Sequence, residues 1–435
     1  GISPVTASSR AYLAVALRCW SARSRAVFAV VAFSSADDAF VSDAVERDRP
    51  QAPVTAPSPM KGSKPPRLAR LSLDASEQFF PRIDHPNVPR AFVTGMPAYD
   101  QFPMALWARL SAQYWRRSPS LVLGYSDAAG LPELREAIAR HLWANRGISC
   151  TPDEVFIFNG AQDAFNRIGQ MLLNHGDKVW FENPGHIGAR NSLISNGATL
   201  VPVPVDNEGI DVSAGLALSK SFRLAFVTPA AQHPLAVTMS LTRRLELLNA
   251  AERCGAWIVE DDFNGELHYS GYPAPTLKSI DQTGRVIYVG SFSKVMFAAL
   301  RIGYVVAPPE LAEVFRRVAG ATMQGVPANL QSTMATFISE GHLATHIRRM
   351  RRIYTERQNA LLSAAEEHLG GLLDVRPAAA GLQTVGHLAE GFSDVEVAQK
   401  AGERGIILSP FNRLAFAPAG QGLIMGFGAV PPRSI

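Results

Sequence analysis

Short apolar runs alternate along the middle of the chain with longer segments whose apolar residues recur every three or four positions. The short runs are rich in β-branched residues and nearly continuous, which is typical of strands buried on both faces of a parallel sheet. They lie at residues 156–158, 179–181, 226–227, 257–259 and 286–289. Residues 241–254 show the three-and-four spacing of a core-facing helix. From about residue 90 to 320, this alternation predicts an α/β fold, a mostly parallel sheet between two helical layers.

One stretch breaks this alternation through its proline content. Residues 49–68 contain Pro50, Pro53, Pro57, Pro59, Pro65 and Pro66. Prolines at this density prevent regular helix or strand and are typical of a linker. We therefore place a linker at 49–68, a large domain at 69–340 and a smaller α+β lobe at 341–435.

Composition restricts the compartment more than the function. The 435 residues include 47% hydrophobic ones, enough for a sizeable core, and the net charge of +4 only weakly favours an anionic partner. The three cysteines are far apart, which argues against a disulfide framework or a metal site and favours a reducing compartment. Residues 26–33 superficially resemble the core of a signal peptide, but no run reaches transmembrane length. We expect a cytoplasmic protein without membrane contact.

The chemistry centres on the turn that follows the apolar run at 286–289. This turn reads Ser291-Phe-Ser-Lys294, and a second apolar run follows it. A lysine at such a strand end, among small and apolar residues, can be desolvated, which lowers its pKa and makes it a nucleophile toward carbonyls. The alternative is a surface lysine on a loop. Asp261 ends the run at 257–259, and a carboxylate there can hold the protonated ring nitrogen of pyridoxal phosphate.

Asp261, Ser291, Lys294 and Arg301 together resemble the cofactor site of fold-type I, pyridoxal-phosphate-dependent aminotransferases. The resemblance is closest to the effector domain of MocR-type regulators, GntR-family proteins that fuse a winged helix-turn-helix to an aminotransferase-like domain. It implies the fold-type I transferase fold, an α/β/α sandwich with a smaller C-terminal lobe. It also implies pyridoxal 5'-phosphate as cofactor, with Lys294 as its Schiff-base partner, Arg301 as a phosphate clamp and a homodimer as the assembly.

The same resemblance assigns further residues to the cofactor. Gly160, Ala161 and Gln162 match the family's phosphate cup at a helix start, and Tyr125 matches the tyrosine that reaches the phosphate of the other subunit. The alternative for Tyr125 is an aromatic residue of a turn. His186 stands where the family usually stacks a tyrosine on the cofactor ring, since an imidazole can also stack.

Other positions match the family's contacts to the cofactor oxygen and to the substrate. Gln232 or His233 is expected near the cofactor's 3-oxygen, although Ala231, Leu235 and Ala236 depart from the family pattern there. Phe263 replaces a tyrosine whose phenol would donate to that oxygen. Arg413 matches the arginine that can bind a substrate carboxylate.

The two ends of the chain match the family only in fragments. Residues 1–48 resemble a degenerate or partial winged helix-turn-helix, without its first helix and the wing glycines, so we expect DNA binding only if an intact helix-turn-helix exists. The C-terminal lobe is expected to be truncated. Residues 341–357 form a basic helix, for which we favour a solvated face over an anion-binding patch.

These observations leave three functions open. The first is a MocR-type regulator that senses a small amino compound by forming an external aldimine at Lys294 and controls transcription. The second is a genuine aminotransferase that moves an amino group from an amino acid to a 2-oxo acid, with Lys294 as general base. The third is a degenerate, inactive family member.

Overall fold

The computed structural model describes residues 88–117, 122–269, 274–322, 325–416 and 420–435, together with Arg67, Ala69 and residues 78–80. The expected helix-turn-helix remnant at 1–48 and the linker at 49–68, apart from Arg67, lie outside the described residues. In the described part, no helix is long and apolar enough to cross a lipid bilayer.

A mostly parallel sheet of eight strands forms the centre of the described chain, in the order β1-β8-β7-β6-β5-β2-β3-β4. Strands β3, β2, β5, β6 and β7 are parallel, whereas β8 is antiparallel to both its neighbours and β4 to β3. The strands are β1 Val155–Phe158, β2 Lys178–Asn183, β3 Thr199–Asp206, β4 Gly209–Ile210, β5 Leu224–Val227, β6 Trp257–Asp261, β7 Val286–Ser291 and β8 Gly303–Val306.

Helices connect these strands and continue into the C-terminal part. They are α1 Met104–Tyr114, α2 Pro132–Arg146, α3 Ala161–Leu172, α4 Ile187–Ser195, α5 Val212–Leu218, α6 Leu241–Cys254, α7 Leu277–Ile280, α8 Pro309–Thr322, α9 Ala328–Ser339, α10 His342–Leu369 and α11 Asp394–Glu403. The helix predicted at 241–254 is confirmed with the same bounds. Helix α1 begins at Met104, directly after Pro103.

The sheet has apolar side chains on both faces, as the continuous apolar runs predicted. Successive side chains of a strand point to opposite faces, so Ile258 and Val259 enter different clusters. Val259 packs in the cluster that contains Phe165 of α3, and Ile258 in the cluster that contains Leu247 of α6. Both residues are almost completely buried. The α/β/α sandwich predicted from the sequence is therefore confirmed.

A second, antiparallel sheet of four strands lies in the C-terminal part. Its order is β11-β12-β10-β9, formed by β9 Leu373–Val375, β10 Gln383–Leu388, β11 Ser409–Pro410 and β12 Gly422–Gly426. The basic helix predicted at 341–357 is the first half of α10. The solvated face predicted for it carries three exposed arginines: Arg348, Arg349 and Arg352. By contrast, Arg357 is buried and forms an ion pair with Asp100 at 3.0 Å, so this arginine holds the helix to the preceding part of the chain.

Candidate functional site

The candidate site is a cavity of about 350 Å³ at the carboxyl ends of β6 and β7. These strands are paired in parallel, with Asp261 opposite Val289, which precedes Ser291 by two residues and Lys294 by five. Loops at the carboxyl edge of a parallel sheet are where α/β folds bind ligands. The cavity lining includes nine of the residues singled out from the sequence: Ala161, Gln162, His186, His233, Asp261, Phe263, Ser291, Lys294 and Arg301.

Lys294 is held in the cavity by one hydrogen bond. Its Nζ donates to the backbone oxygen of Gly95 at 2.9 Å. A side chain at residue 95 would bring its Cβ to 2.5 Å from this Nζ, and Gly95 has a φ of +69°, so both space and backbone favour glycine there. Burial lowers the pKa of Lys294, and the neighbouring carboxylate of Asp261 partly opposes that shift. Lys294 is therefore a partly buried amine with an enlarged neutral fraction.

Asp261 is a buried carboxyl group without a hydrogen-bond partner in the described part of the chain. Its side chain is only 3% exposed, and the buried Oδ1 accepts no hydrogen bond. Burial raises the pKa of Asp261 well above its usual value, the nearby Asp262 and Glu182 raise it further, and Lys294 opposes the shift. A buried unpaired acceptor is costly unless a ligand satisfies it. The group therefore fits a cationic N–H donor such as a protonated ring nitrogen.

The acids beside Asp261 have protein partners of their own. Asp262 Oδ2 accepts from Tyr288 at 2.6 Å and pairs with Arg146 at 2.7 Å. Glu182 accepts from the backbone nitrogen of Thr228 at 3.0 Å and from its hydroxyl group at 2.6 Å. Burial nevertheless raises the pKa of Glu182 to about 7. Among these three neighbouring acids, Asp261 is thus the one that the fold leaves for a ligand.

An anion-binding corner lies where α3 begins. Gly160 precedes this helix of 12 residues with a φ of +83°, and Ala161 and Gln162 of its first turn line the cavity. The guanidinium group of Arg301 lies beside it, 3.1 Å from where a Cβ on Gly160 would be, and its Nη2 donates to the backbone oxygen of Asn159 at 2.7 Å. Free N–H groups of a helix start next to a guanidinium group fit a phosphate.

His186 lies at the start of α4 and faces the same cavity. Its Nδ1 accepts from the backbone nitrogen of Ala189 at 3.1 Å, which fixes the ring at the helix N-terminus. A Cβ on Gly188 would approach His186 to 2.9 Å and Gln162 to 3.0 Å, so glycine leaves room for both side chains. The structure therefore holds the imidazole in place on the cavity wall, where a ring ligand could stack on it.

The structure separates the two candidates for the cofactor's 3-oxygen. Gln232 is 2% exposed and does not line the cavity; its amide donates to the backbone oxygen of Pro184 at 2.8 Å and to Glu182 at 3.1 Å. His233 does line the cavity, and its ring lies 5.8 Å from that of Phe263. These adjacent side chains therefore point in different directions, and the role of either one toward the 3-oxygen stays a prediction. Burial and the charge of Lys294 lower the pKa of His233 to about 4, so its imidazole is neutral at pH 7.

Besides Gly160 and Gln232, two assigned residues lie outside the cavity lining of their own chain. Tyr125 is fully exposed on the loop before α2, and its expected contact with a second subunit stays a prediction. Arg413 is on the short 3-10 helix Phe411–Leu414, of which Leu414 reaches the cavity. The carboxylate-binding role of Arg413 also stays a prediction.

Sequence reasoning missed four polar residues that line the cavity. They are Thr94, Asn264, Gln383 and Ser409. Asn264 follows Asp261 by three residues, and this proximity is the only sequence signal for it. Gln383 and Ser409 begin two strands of the second sheet, more than a hundred residues later in the chain, so no local pattern marks them.

Comparisons with known proteins identify the family to which the chain is similar. A family model described as aminotransferase class I and II matches residues 93–422. The chain is 42% identical over 346 residues to a probable rhizopine catabolism regulatory protein, MocR, of Rhizobium meliloti, covering 79% of this chain and 70% of that protein. It is 38% identical over 291 residues to the transcriptional regulator TauR of Rhodobacter capsulatus, covering 66% of this chain and 58% of that protein.

Solved structures show the same architecture. An archaeal alanine:glyoxylate aminotransferase superposes with a TM-score of 0.74 at 25% identity, covering 85% of this chain and 93% of that chain. Kynurenine aminotransferase of Pyrococcus horikoshii gives a TM-score of 0.74 at 25% identity, covering 83% of this chain and 95% of that chain.

Proposed function

The chain belongs to the aminotransferase class I and II family and is of the MocR type, and we propose that it holds pyridoxal 5'-phosphate at Lys294 and responds to a small amino compound there. Pyridoxal 5'-phosphate is the cofactor of this family. When bound, it supplies an electron sink to an attached amine. The observation that carries the proposal is the pairing of Asp261 and Lys294 in one cavity.

The lysine and the aspartate supply complementary groups. Lys294 offers a nucleophilic amine because burial lowers its pKa, and Gly95 orients that amine through the 2.9 Å hydrogen bond. Asp261 offers a buried acceptor that no described residue pairs with, and it would pair with the cofactor's ring N–H. The ring nitrogen would keep the carboxylate charged, and the carboxylate would keep the nitrogen protonated.

The remaining residues would bind and orient the cofactor. Arg301, Gly160 and the first turn of α3 would hold its phosphate, and Ser291 lines the same cavity. His186 would stack on the ring of the cofactor. His233 would offer a ring nitrogen near the cofactor's 3-oxygen, whereas Phe263 has no hydrogen-bond donor for that oxygen. Together they would exclude water and fix the ring against Lys294.

Control of transcription is proposed from the relatives. MocR and TauR are regulators by name, and the chain spans 70% and 58% of their lengths. We propose that the aminotransferase-like domain acts as the sensing part of a cytoplasmic regulator, and that DNA is contacted only through an intact helix-turn-helix. We also propose a homodimer in which Tyr125 reaches the phosphate site of the partner subunit. Its full exposure is compatible with that role.

Cofactor attachment is the first test. The purified chain incubated with pyridoxal phosphate should gain visible absorbance, and borohydride should fix the label to Lys294. Lys294→Ala should lose the absorbance. The matched control is Lys278→Ala: burial also lowers the pKa of Lys278, but its Nζ donates to the backbone oxygen of Val286 at 3.0 Å, and Lys278 does not line the cavity. A label on another lysine, or absorbance retained in Lys294→Ala, would refute the proposal.

A genuine aminotransferase is the second candidate, favoured by the similarity to solved aminotransferases at 25% identity and by the lowered pKa of Lys294. Incubation of the loaded chain with an amino acid and a 2-oxo acid separates the two functions. Many amino groups transferred per chain would establish the enzyme. A spectral response to amines without repeated transfer would establish the sensor, and no response would establish a degenerate member.

A further inference from the structure

The side chain of Arg190 on α4 lies between two aromatic rings. Its Cζ is 3.9 Å from the ring centroid of Phe80 and 3.9 Å from that of Phe416. The Nε and Nη1 atoms of Arg190 are buried and donate no hydrogen bond to a described residue. Burial lowers the pKa of Arg190 to about 10, so the guanidinium group stays charged at pH 7. The two rings therefore stabilise this half-buried charge through cation–π interactions.

The backbone of Phe80 is held by the next residue of the same helix. The nitrogen of Phe80 donates to Asn191 Oδ1 at 3.2 Å, and the oxygen of Phe80 accepts from Asn191 Nδ2 at 2.8 Å. Adjacent side chains of α4 thus bind the ring and the backbone of one residue. Two hydrogen bonds and a ring contact together fix Phe80 in one position on the helix.

The helix that holds Phe80 also forms part of the cavity wall. His186, Ile187 and Gly188, at the start of α4, line the cavity. Arg190 and Asn191 follow one turn later in the same helix. A displacement of this first part of α4 would therefore move the cavity wall and the contacts to Phe80 together.

Apolar packing gives a second connection between Phe80 and the cavity. Phe80 packs against a cluster of five buried apolar residues: Ile187, Val385, Phe411, Leu414 and Ile424. Three of them, Ile187, Leu414 and Ile424, also line the cavity. A ligand in the cavity and the ring of Phe80 thus pack on the same small cluster. Because protein interiors are close-packed, each should restrict the motion of the side chains that the other contacts.

The second ring is held by the segment that leads into α4. The backbone nitrogen of Phe416 donates to Asn183 Oδ1 at 2.8 Å. The backbone oxygen of Leu414 accepts from the nitrogen of Gly185 at 3.1 Å. Both acceptor and donor precede α4 by only a few residues. Phe80, in contrast, comes from a part of the chain more than a hundred residues earlier, so its contacts join a distant segment to the cavity wall.

We infer that α4 couples the cofactor cavity to the chain segment at Phe80, so that a ligand in the cavity and Phe80 on α4 each stabilise the other. This inference rests on the proposed function, because pyridoxal phosphate is taken as the ligand. It adds a route for regulation, since Phe80 comes after the predicted linker at 49–68 in the chain. Coupling is reciprocal: Phe80 strengthens cofactor binding by the same factor by which the cofactor strengthens the binding of Phe80 to α4.

Amide hydrogen exchange of the unmodified chain tests one direction of the coupling. The amide of Phe80 exchanges when its hydrogen bond to Asn191 opens. Exchange is measured by mass spectrometry in the peptide that contains Phe80, with and without pyridoxal phosphate. We expect the cofactor to slow this exchange about fivefold, at the lower end of usual couplings between two sites. A peptide from α11, which does not line the cavity, is the control and should exchange equally in both samples.

Variants at the contact test the other direction. Phe80→Ala should weaken the binding of pyridoxal phosphate about fivefold in an absorbance titration, because Arg190 loses one ring and the apolar cluster loses its cover. Asn191→Ala removes both hydrogen bonds to Phe80 and should also weaken it. Phe80→Tyr keeps the ring and should retain the affinity. The matched control is Phe392→Ala, at a ring that is 45% exposed and lies outside the cavity lining.

The outcomes separate this inference from the proposed function. Cofactor affinity that is unchanged in both Phe80→Ala and Asn191→Ala overturns the inference, while the label at Lys294 still supports the cofactor site. Exchange at Phe80 that ignores the cofactor, or that slows only as much as exchange in α11, also overturns it. This comparison uses the unmodified chain, so it decides the matter even if a variant fails to fold. A chain that binds no pyridoxal phosphate refutes the proposed function, and the inference with it.

Discussion

The ion pair between Arg146 and Asp262 supports the strand end that carries Asp261, and its removal should be strongly destabilising. Arg146 Nε and Nη2 reach Asp262 Oδ2 at 2.8 Å and 2.7 Å, and the two side chains are 4% and 0% exposed. Tyr288 donates to the same oxygen at 2.6 Å. In Arg146→Met, the apolar stem is preserved, but a buried carboxylate keeps only the tyrosine as partner. We expect a loss of about 3–5 kcal/mol in the free energy of unfolding.

Urea unfolding at 25 °C, with and without pyridoxal phosphate, measures this loss. The matched control is Arg140→Met on the same helix: Arg140 pairs with Glu136 at 3.3 Å, but both side chains are more than half exposed, so the change should stay within about 0.5 kcal/mol. The double variant Arg146→Met with Asp262→Asn should recover much of the lost stability, because the unpaired charge is then gone.

Two results would refute this reasoning. The first is a loss below about 1 kcal/mol for Arg146→Met, which would mean that the carboxylate finds water or another donor. The second is a double variant no more stable than Arg146→Met alone. The loss should also be the same with and without cofactor, because Arg146 supports the strand end and does not line the cavity. A loss seen only in the loaded chain would assign Arg146 to the cofactor instead.

Three further predictions concern the cavity itself. Asp261→Asn should raise the stability of the cofactor-free chain at pH 7 and lower its affinity for the cofactor. Burial holds the pKa of Asp261 well above 3.8, so the contribution of this carboxyl group to stability is lost as pH rises through its folded-state pKa. Unchanged stability of the variant in thermal unfolding would contradict this prediction. Burial lowers the pKa of His233 from 6.5 to about 4, so the contribution of this residue to stability should fall as pH drops from about 6.5 to about 4. His233→Asn should flatten that part of the stability–pH curve. Parallel stability–pH curves for the variant and the unmodified chain would contradict this prediction. Phe263→Tyr adds a phenol near the His233 ring and should lower the pKa of the visible cofactor chromophore in an absorbance titration. An unchanged pKa of the chromophore would show that the phenol does not reach the 3-oxygen.

The sequence alone predicted the parts of the fold and of the site that depend on local pattern. The spacing of apolar residues predicted the helix at 241–254 and the buried strands β1, β2, β5, β6 and β7, because periodicity follows directly from helix and strand geometry. Asp261 and Lys294 were paired from sequence because both follow apolar strands, and parallel neighbours end at one edge of a sheet.

Tertiary structure decided which side chains actually face the cavity. Gln232 and His233 are adjacent in sequence, yet the buried carboxylate of Glu182 holds the first while the second lines the site. Asn264 shares the cavity lining with Gln383 and Ser409, which come from β10 and β11 of the second sheet. Such convergence depends on contacts between segments more than a hundred residues apart, whereas periodicity reports only on neighbours within a few residues.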